Sequence, residues 1–199
     1  MTISIKPTAS GSTIEQDGST ILTVDGSGNI SATNNFSATG HVLQVVSTTK
    51  TDTFSTNSTS FTNVTGLNAS ITPLSASSKI MIFVSIMVSR DPGTDAHTIF
   101  TAIAGGNTAS YIGNTSSNRI RTVTASRHTN ANSNIANLMV PVSMQYLDTP
   151  NTTSSTTYNV QVRNSTSSGA GYVNMSGEDS DSSAFGRGAS TITLMEIAG

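Results

Sequence analysis

Apolar and polar residues alternate with period two along most of this chain, the pattern of a strand with one face buried. TTYNVQVR (156–163) puts Tyr158, Val160 and Val162 on one face, and STITLMEI (190–197) does the same with Ile192, Leu194 and Glu196. HTIFTAIA (97–104) alternates as far as Gly105-Gly106. SKIMIFVSIMVS (78–89) is apolar at both parities. It predicts a central strand, with the core on one face and a neighbour on the other. HVLQVVS (41–47), SFTNV (60–64), LNASI (67–71) after a break at Gly66, ASYIG (109–113), RIRTVT (119–124) and GYVNM (171–175) predict shorter strands. NLMVPVSMQYL (137–147) carries Pro141, which cannot donate to a ladder and predicts an edge or a bulge. No window sustains the three-and-four spacing of an amphipathic helix. The turn signals fall at sandwich spacing. Residues 41–199 are therefore expected to form a β-sandwich of jelly-roll type. A domain of this size buries roughly 70% of its extended-chain surface and stands alone.

The pattern changes near Gly40. Residues 1–40 are thinly apolar and rich in turns. Asp17-Gly18 and Asp25-Gly26 flank STILTV, whose Ile21, Leu22 and Val24 suit a short strand, and NISATNNF follows Gly28-Asn29. Asp-Gly supplies the positive φ angles of tight hairpin turns. A segment so poor in large apolar side chains cannot bury a core alone. It is expected to be an extended, hairpin-rich, shaft-like arm. Its apolar residues Ile3, Ile5, Ile14, Ile21, Leu22 and Val24 are the candidates for contact with sister copies or with another protein.

Composition narrows the function classes. The chain has 199 residues, of which 10% are charged, and a net charge of -2. Ser and Thr make up about a third of it. Ile, Val and Thr stiffen the backbone toward extended structure, which argues for folded β rather than disorder. There is no Cys, hence no disulfide, thiol nucleophile or Cys-ligated metal site. Nine dispersed cations make no basic stripe for nucleic acid. The longest apolar run, 80–88, contains Ser85 and is too short to cross a bilayer, so no membrane insertion is expected. The opening MTISIKPTAS has no apolar h-region and reads as no signal peptide.

Candidate chemistry is sparse. His41, His97 and His128 have no metal-box spacing. Asp91, Asp95 and His97 in RDPGTDAH offer a carboxylate–imidazole group, although Asp-Pro-Gly is also ordinary turn chemistry. Glu178, Asp179 and Asp181 in GEDSDSSAFG offer hard oxygens for a cation, but the spacing is not that of an EF-hand, and a solvated loop explains them as well. No G-x-S-x-G elbow or paired carboxylate marks an enzyme, so no catalytic residue and no cofactor is expected. Arg119 and Arg121 in RIRTVTASRH would share a strand face, with Arg127 and His128 nearby. Guanidinium groups suit acidic glycans or an acidic partner chain. Tyr111 and Asn114 are adaptable loop contacts. With Asp95 and His97, these residues form the candidate receptor-binding set.

Three blocks carry a family resemblance. They are GHVLQVVSTTKTDTFSTNSTSFTNVTGLNASITPLSASSKIMIFVSI (40–86), LDTPNTTSSTTYNVQVR (147–163) and ASTITLMEIA (189–198). Together they resemble a β-rich domain of virion proteins of cyanophages and other environmental tailed phages. The leader LTVDGSGNISA (22–32) is similar to shaft segments that precede the heads of phage fibres. The resemblance implies a structural virion protein without catalytic residues, a tail fibre assembled in the host cytoplasm. Its expected partners are its own copies in a homotrimer, other virion proteins, and a host-surface glycan or protein. A capsid decoration or cement protein is the alternative. Residues 90–135 depart most from the family pattern, as expected of a recognition region.

Overall fold

The computed structural model describes residues 3–8, 11–16, 19–32, 39–92, 97–127 and 136–199. The chain forms two compact units, Met1–Ala38 and Thr39–Gly199.

The first unit is a single antiparallel sheet of β1 (Ile3–Thr8), β2 (Gly11–Gln16), β3 (Ser19–Asp25) and β4 (Ile30–Ala32), paired in chain order. Its register sorts side chains by polarity. Ile5 opposes Ile14, which opposes Leu22, and Val24 opposes Ile30 on the same face. Lys6, Thr13 and Thr23 oppose one another on the other face, where Lys6 pairs with Glu15. A bulge opposite Glu15 leaves Ile21 out of the β2 ladder. The β3–β4 turn is held by the Asp25 carboxylate, which accepts from the Asn29 side chain (2.9 Å) and from the Asn29 (2.8 Å) and Ser27 (2.9 Å) amides. Hydrogen bonding from Asn29 holds that carboxyl below its ordinary value. Among the described residues of this unit none is buried. Ile5 is 70% and Ile30 68% exposed, so a sorted apolar face exists without an interior.

Among its described residues, the second unit contains ten strands in two sheets. They are β5 (Val42–Lys50), β6 (Phe54–Thr56), β7 (Thr62–Ile71), β8 (Lys79–Arg90), β9 (Thr98–Ala104), β10 (Thr124–Arg127), β11 (Val140–Asp148), β12 (Thr156–Asn164), β13 (Gly171–Val173) and β14 (Ser190–Ile197). One sheet has the order β10-β9-β12-β7. In the other, β8 is central and pairs with β11 over Ile80–Val88. β14 pairs with the first half of β8 and β13 with its end, so these two strands share one position in the sheet. Likewise β5 pairs with β14, and β6 with β13.

Asn174 accounts for this double break. It sits at φ 62°, a conformation that Asn tolerates better than most residues. Its buried amide donates to the carbonyls of Lys50 (2.8 Å) and Asp52 (3.1 Å), where β5 ends. Its oxygen accepts from the Ser190 hydroxyl (2.5 Å), where β14 begins.

Counting each broken pair as one position gives eight positions in chain order. One sheet then reads 1-8-3-6 and the other 2-7-4-5. The core lies between the sheets. Ile80, Ile82, Val84, Ile86 and Val88 of β8 face Tyr158, Val160 and Val162 of β12, with Ile192 and Leu194 alongside. The alternation of β12 and β14 is thus their burial pattern, β8 buries one face although its sequence is apolar at both parities, and Pro141 lies in an edge strand.

Three expected elements differ. SFTNV and LNASI form the single strand β7, and the ladder skips register at a bulge around Gly66 rather than ending there. ASYIG holds the end of a short 3-10 turn, Thr108–Ser110, not a strand. In RIRTVT the backbone joins the sheet only at its end, through Val123 N–H to Thr101 O (3.1 Å) and then β10. Residues 119–122 are loop because Arg119 and Arg121 bond locally: Arg119 donates to the Ser116 hydroxyl (2.7 Å) and Arg121 Nε to the Gly113 carbonyl (2.7 Å). They therefore share no strand face.

Candidate functional site

The site begins with a buried carboxylate. Asp148 ends β11 and is fully buried. It accepts a 2.6 Å hydrogen bond from the Tyr158 hydroxyl of β12 and a bond from the Asn107 amide at 3.1 Å. Burial, reinforced by the bond to Asp148, raises the Tyr158 phenol well above its ordinary value. Asn107 Nδ2 also donates to the Thr149 carbonyl (2.5 Å). These contacts fix the turn that leaves β9. Gly106 is essential to it: φ is +50°, and a Cβ there would lie 2.1 Å from the Asp148 carboxylate.

The anchored turn leads directly to Tyr111. Its ring stacks on Tyr146 of β11, with centroids 4.3 Å apart and planes 16° from parallel. Its hydroxyl accepts from the Gln145 amide at 3.2 Å. That amide belongs to an edge strand, so Tyr111 satisfies a donor the sheet leaves open.

A cleft of about 540 Å³ adjoins it. Its floor is the outer face of the β8 sheet, formed by Phe83 and Ser85 on β8, Ser143 and Gln145 on β11, and Thr191 and Thr193 on β14. The register places Phe83 between Gln145 and Thr193, and Ser85 between Ser143 and Thr191. Tyr111, Val123 and Thr124 line its far side. Phe83 is 38% exposed, a large apolar ring among the hydroxyls and the amide of this floor, and Val84 and Met144 also line the cleft. No carboxylate, ammonium or guanidinium lines the cleft.

Of the residues singled out from sequence, Tyr111 belongs to this cleft. Asn114, Arg119, Arg121 and Arg127 are exposed and lie outside its lining. His97 is 1% exposed and belongs to the interior, so it cannot serve as a surface contact. Asp95 and His128 lie outside the described residues. Among the described residues no cluster of His, Asp and Glu has the geometry of a metal site. Asp179 is instead paired with Arg187. In the first unit, Ile5, Ile14, Leu22 and Val24 share the apolar face, Ile21 sits at the bulge, and Ile3 opens β1.

No protein-family model matches the chain, and no curated protein matches it. Among solved structures, it is similar to a chain of the infectious bursal disease virus Gx strain, with 12% identity and a TM-score of 0.36. It is also similar to a chain of the infectious bursal disease virus VP2 subviral particle, with 14% identity and a TM-score of 0.32. Each match covers 94% of this chain and 47% of the other, so the chain spans about half the length of these solved chains.

Proposed function

We propose that this chain is a structural protein of a virion, a homotrimeric fibre-type component of a tailed phage. Its first unit is the assembly and attachment element, and its second unit is the displayed head. The observation that carries this reading is the first unit's sheet. It has sorted its apolar side chains onto one face, yet Ile5 and Ile30 of that face remain largely exposed. A single-layer sheet cannot complete a core by itself. Three copies closed about a common axis would bury the same face of each, and the low charge of the chain opposes this weakly.

The second unit supports the reading in a different way. The orders 1-8-3-6 and 2-7-4-5 are those of an eight-stranded jelly roll, an architecture of viral shells and of lectin-type binding domains. Its core is built from its own strands. Fold alone does not choose among these roles. The sheet without an interior favours a stem, and the cleft favours a head.

Location is the test. Electron microscopy of virions labelled for this protein is expected to place it on the tail, in a few tens of copies at most. Hundreds of copies over the capsid would replace the fibre by a decoration protein that uses the same sheet to grip the shell.

A further inference from the structure

We infer that the cleft between Phe83 and Tyr111 binds an uncharged, hydroxyl-rich ligand, a neutral saccharide. The display reading supplies only the setting in which such a ligand would be met. The cleft lies wholly in the second unit, and its chemistry does not depend on how copies assemble.

The lining argues for this class by what it offers. Ser85, Ser143 and Thr191 present hydroxyls that both donate and accept, Gln145 presents an amide that does the same, and the Thr193 hydroxyl, already bonded to that of Ser47 (2.9 Å), keeps its remaining capacity. Such groups exchange hydrogen bonds with sugar hydroxyls, which also both donate and accept. Phe83 and Tyr111 add ring faces, whose negative quadrupole attracts the slightly positive C–H edges of a pyranose. The volume lies within the usual range for small-ligand clefts, roughly 300–1,000 Å³.

Other ligand classes fit worse. A charged ligand would lose hydration with no counter-charge in the lining. A wholly apolar ligand would strip water from the hydroxyls without replacing its hydrogen bonds. An extended peptide would add to the free edge of β11. There, however, Pro141 has no N–H, and the Gln145 N–H is already taken by Tyr111. Tyr111 is also ordered in advance by its stack on Tyr146, so holding a ligand costs little further entropy.

Saturation-transfer NMR on the full chain tests the inference, with maltose, cellobiose, lactose and mannobiose as neutral probes and cellobiouronic acid as the charged one. At least one neutral disaccharide is expected to bind with Kd on the order of 1 mM, the strength of a few exposed contacts. The uronic acid should bind at least roughly tenfold more weakly, for want of a counter-charge. Phe83→Ala should abolish the signal and Gln145→Ala should weaken it several-fold. Both side chains are on the surface, so unfolding midpoints should stay within about 2 °C of the parent. The inference is overturned if none of the four neutral sugars binds, if the uronic acid is preferred, or if binding survives both substitutions. Light scattering on the same samples separates this outcome from a failure of assembly.

Discussion

Asp148→Ala is expected to destabilise the second unit by about 2–4 kcal/mol, among the larger effects of a single substitution. The buried carboxylate accepts from the buried Tyr158 hydroxyl and from the backbone N–H of Asn107, an exposed residue at the turn. Removing the carboxylate leaves the buried Tyr158 hydroxyl without its partner, at about 1–3 kcal/mol, and the void beneath the Asn107 turn adds to that. The unfolding midpoint should fall by roughly 10 °C for a domain of this size. The damage should spread to the cleft, since Asn107 anchors the turn that presents Tyr111. Loss of near-ultraviolet circular dichroism from the Tyr111–Tyr146 stack should therefore accompany it. Tyr158→Phe is a milder control, expected to cost about 1–2 kcal/mol, because Asp148 keeps its bond from Asn107. If Asp148→Ala unfolds within a degree or so of the parent, the turn is held by something else.

Glu196 gives the second large effect, and it depends on pH. Its side chain is fully buried in β14. One carboxylate oxygen accepts from the Gln44 amide at 2.6 Å, and the other from the Leu74 N–H at 2.7 Å. Burial alone would raise its pKa, but the hydrogen bonds outweigh burial and hold it below the ordinary 4.5. A carboxyl with a depressed folded value stabilises the protein above its unfolded pKa, and the contribution disappears as pH falls through the folded value. Stability of the second unit should therefore be level near neutrality and decline below about pH 4.5. Glu196→Gln should cost about 2–3 kcal/mol at pH 7, because an NH2 group then faces donors. The same variant should show a shallower acid decline. Denaturant unfolding at pH 7, 5 and 3.5 measures both effects. Parallel pH profiles for parent and variant would remove Glu196 from the account.

Glu196 also shows what could be read in the sequence. Its place in the alternation after Ile192 and Leu194 put it on the buried face, although a carboxylate there looks costly. The structure supplies the partners, Gln44 and Leu74, from positions over a hundred residues away. Strands β12 and β14 were legible because burial on one face imposes period two, and β8 because its long apolar run marks a central strand. Residues 109–123 were not. RIRTVT alternates like a strand, but alternation there reflects arginines bonding to their own loop. The two halves of β7 looked separate because Gly66 interrupts the pattern, and only pairing with β12 joins them. Of the cleft, Tyr111 stood out as a loop aromatic. Phe83, Gln145 and Thr193 did not, because they meet only through the register of β8, β11 and β14. His97 was misleading: polarity suggested a surface contact, whereas the residue lies in the interior.

In the first unit the amphipathic order of Ile5, Ile14, Leu22, Val24 and Ile30 emerges only with the register of four strands. A face so sorted and so exposed is the reason for reading the chain as an assembling part, and the mass of the full chain in solution tests that most directly. Light scattering at micromolar concentration is expected to give about three times the 20.5 kDa of one chain. Joint replacement of Ile5 and Ile30 by Asp should reduce it to one copy, and the second unit should unfold at an unchanged temperature, because both side chains are already exposed in a single chain. A parent protein that runs as a stable monomer, or a trimer indifferent to both substitutions, would contradict the account.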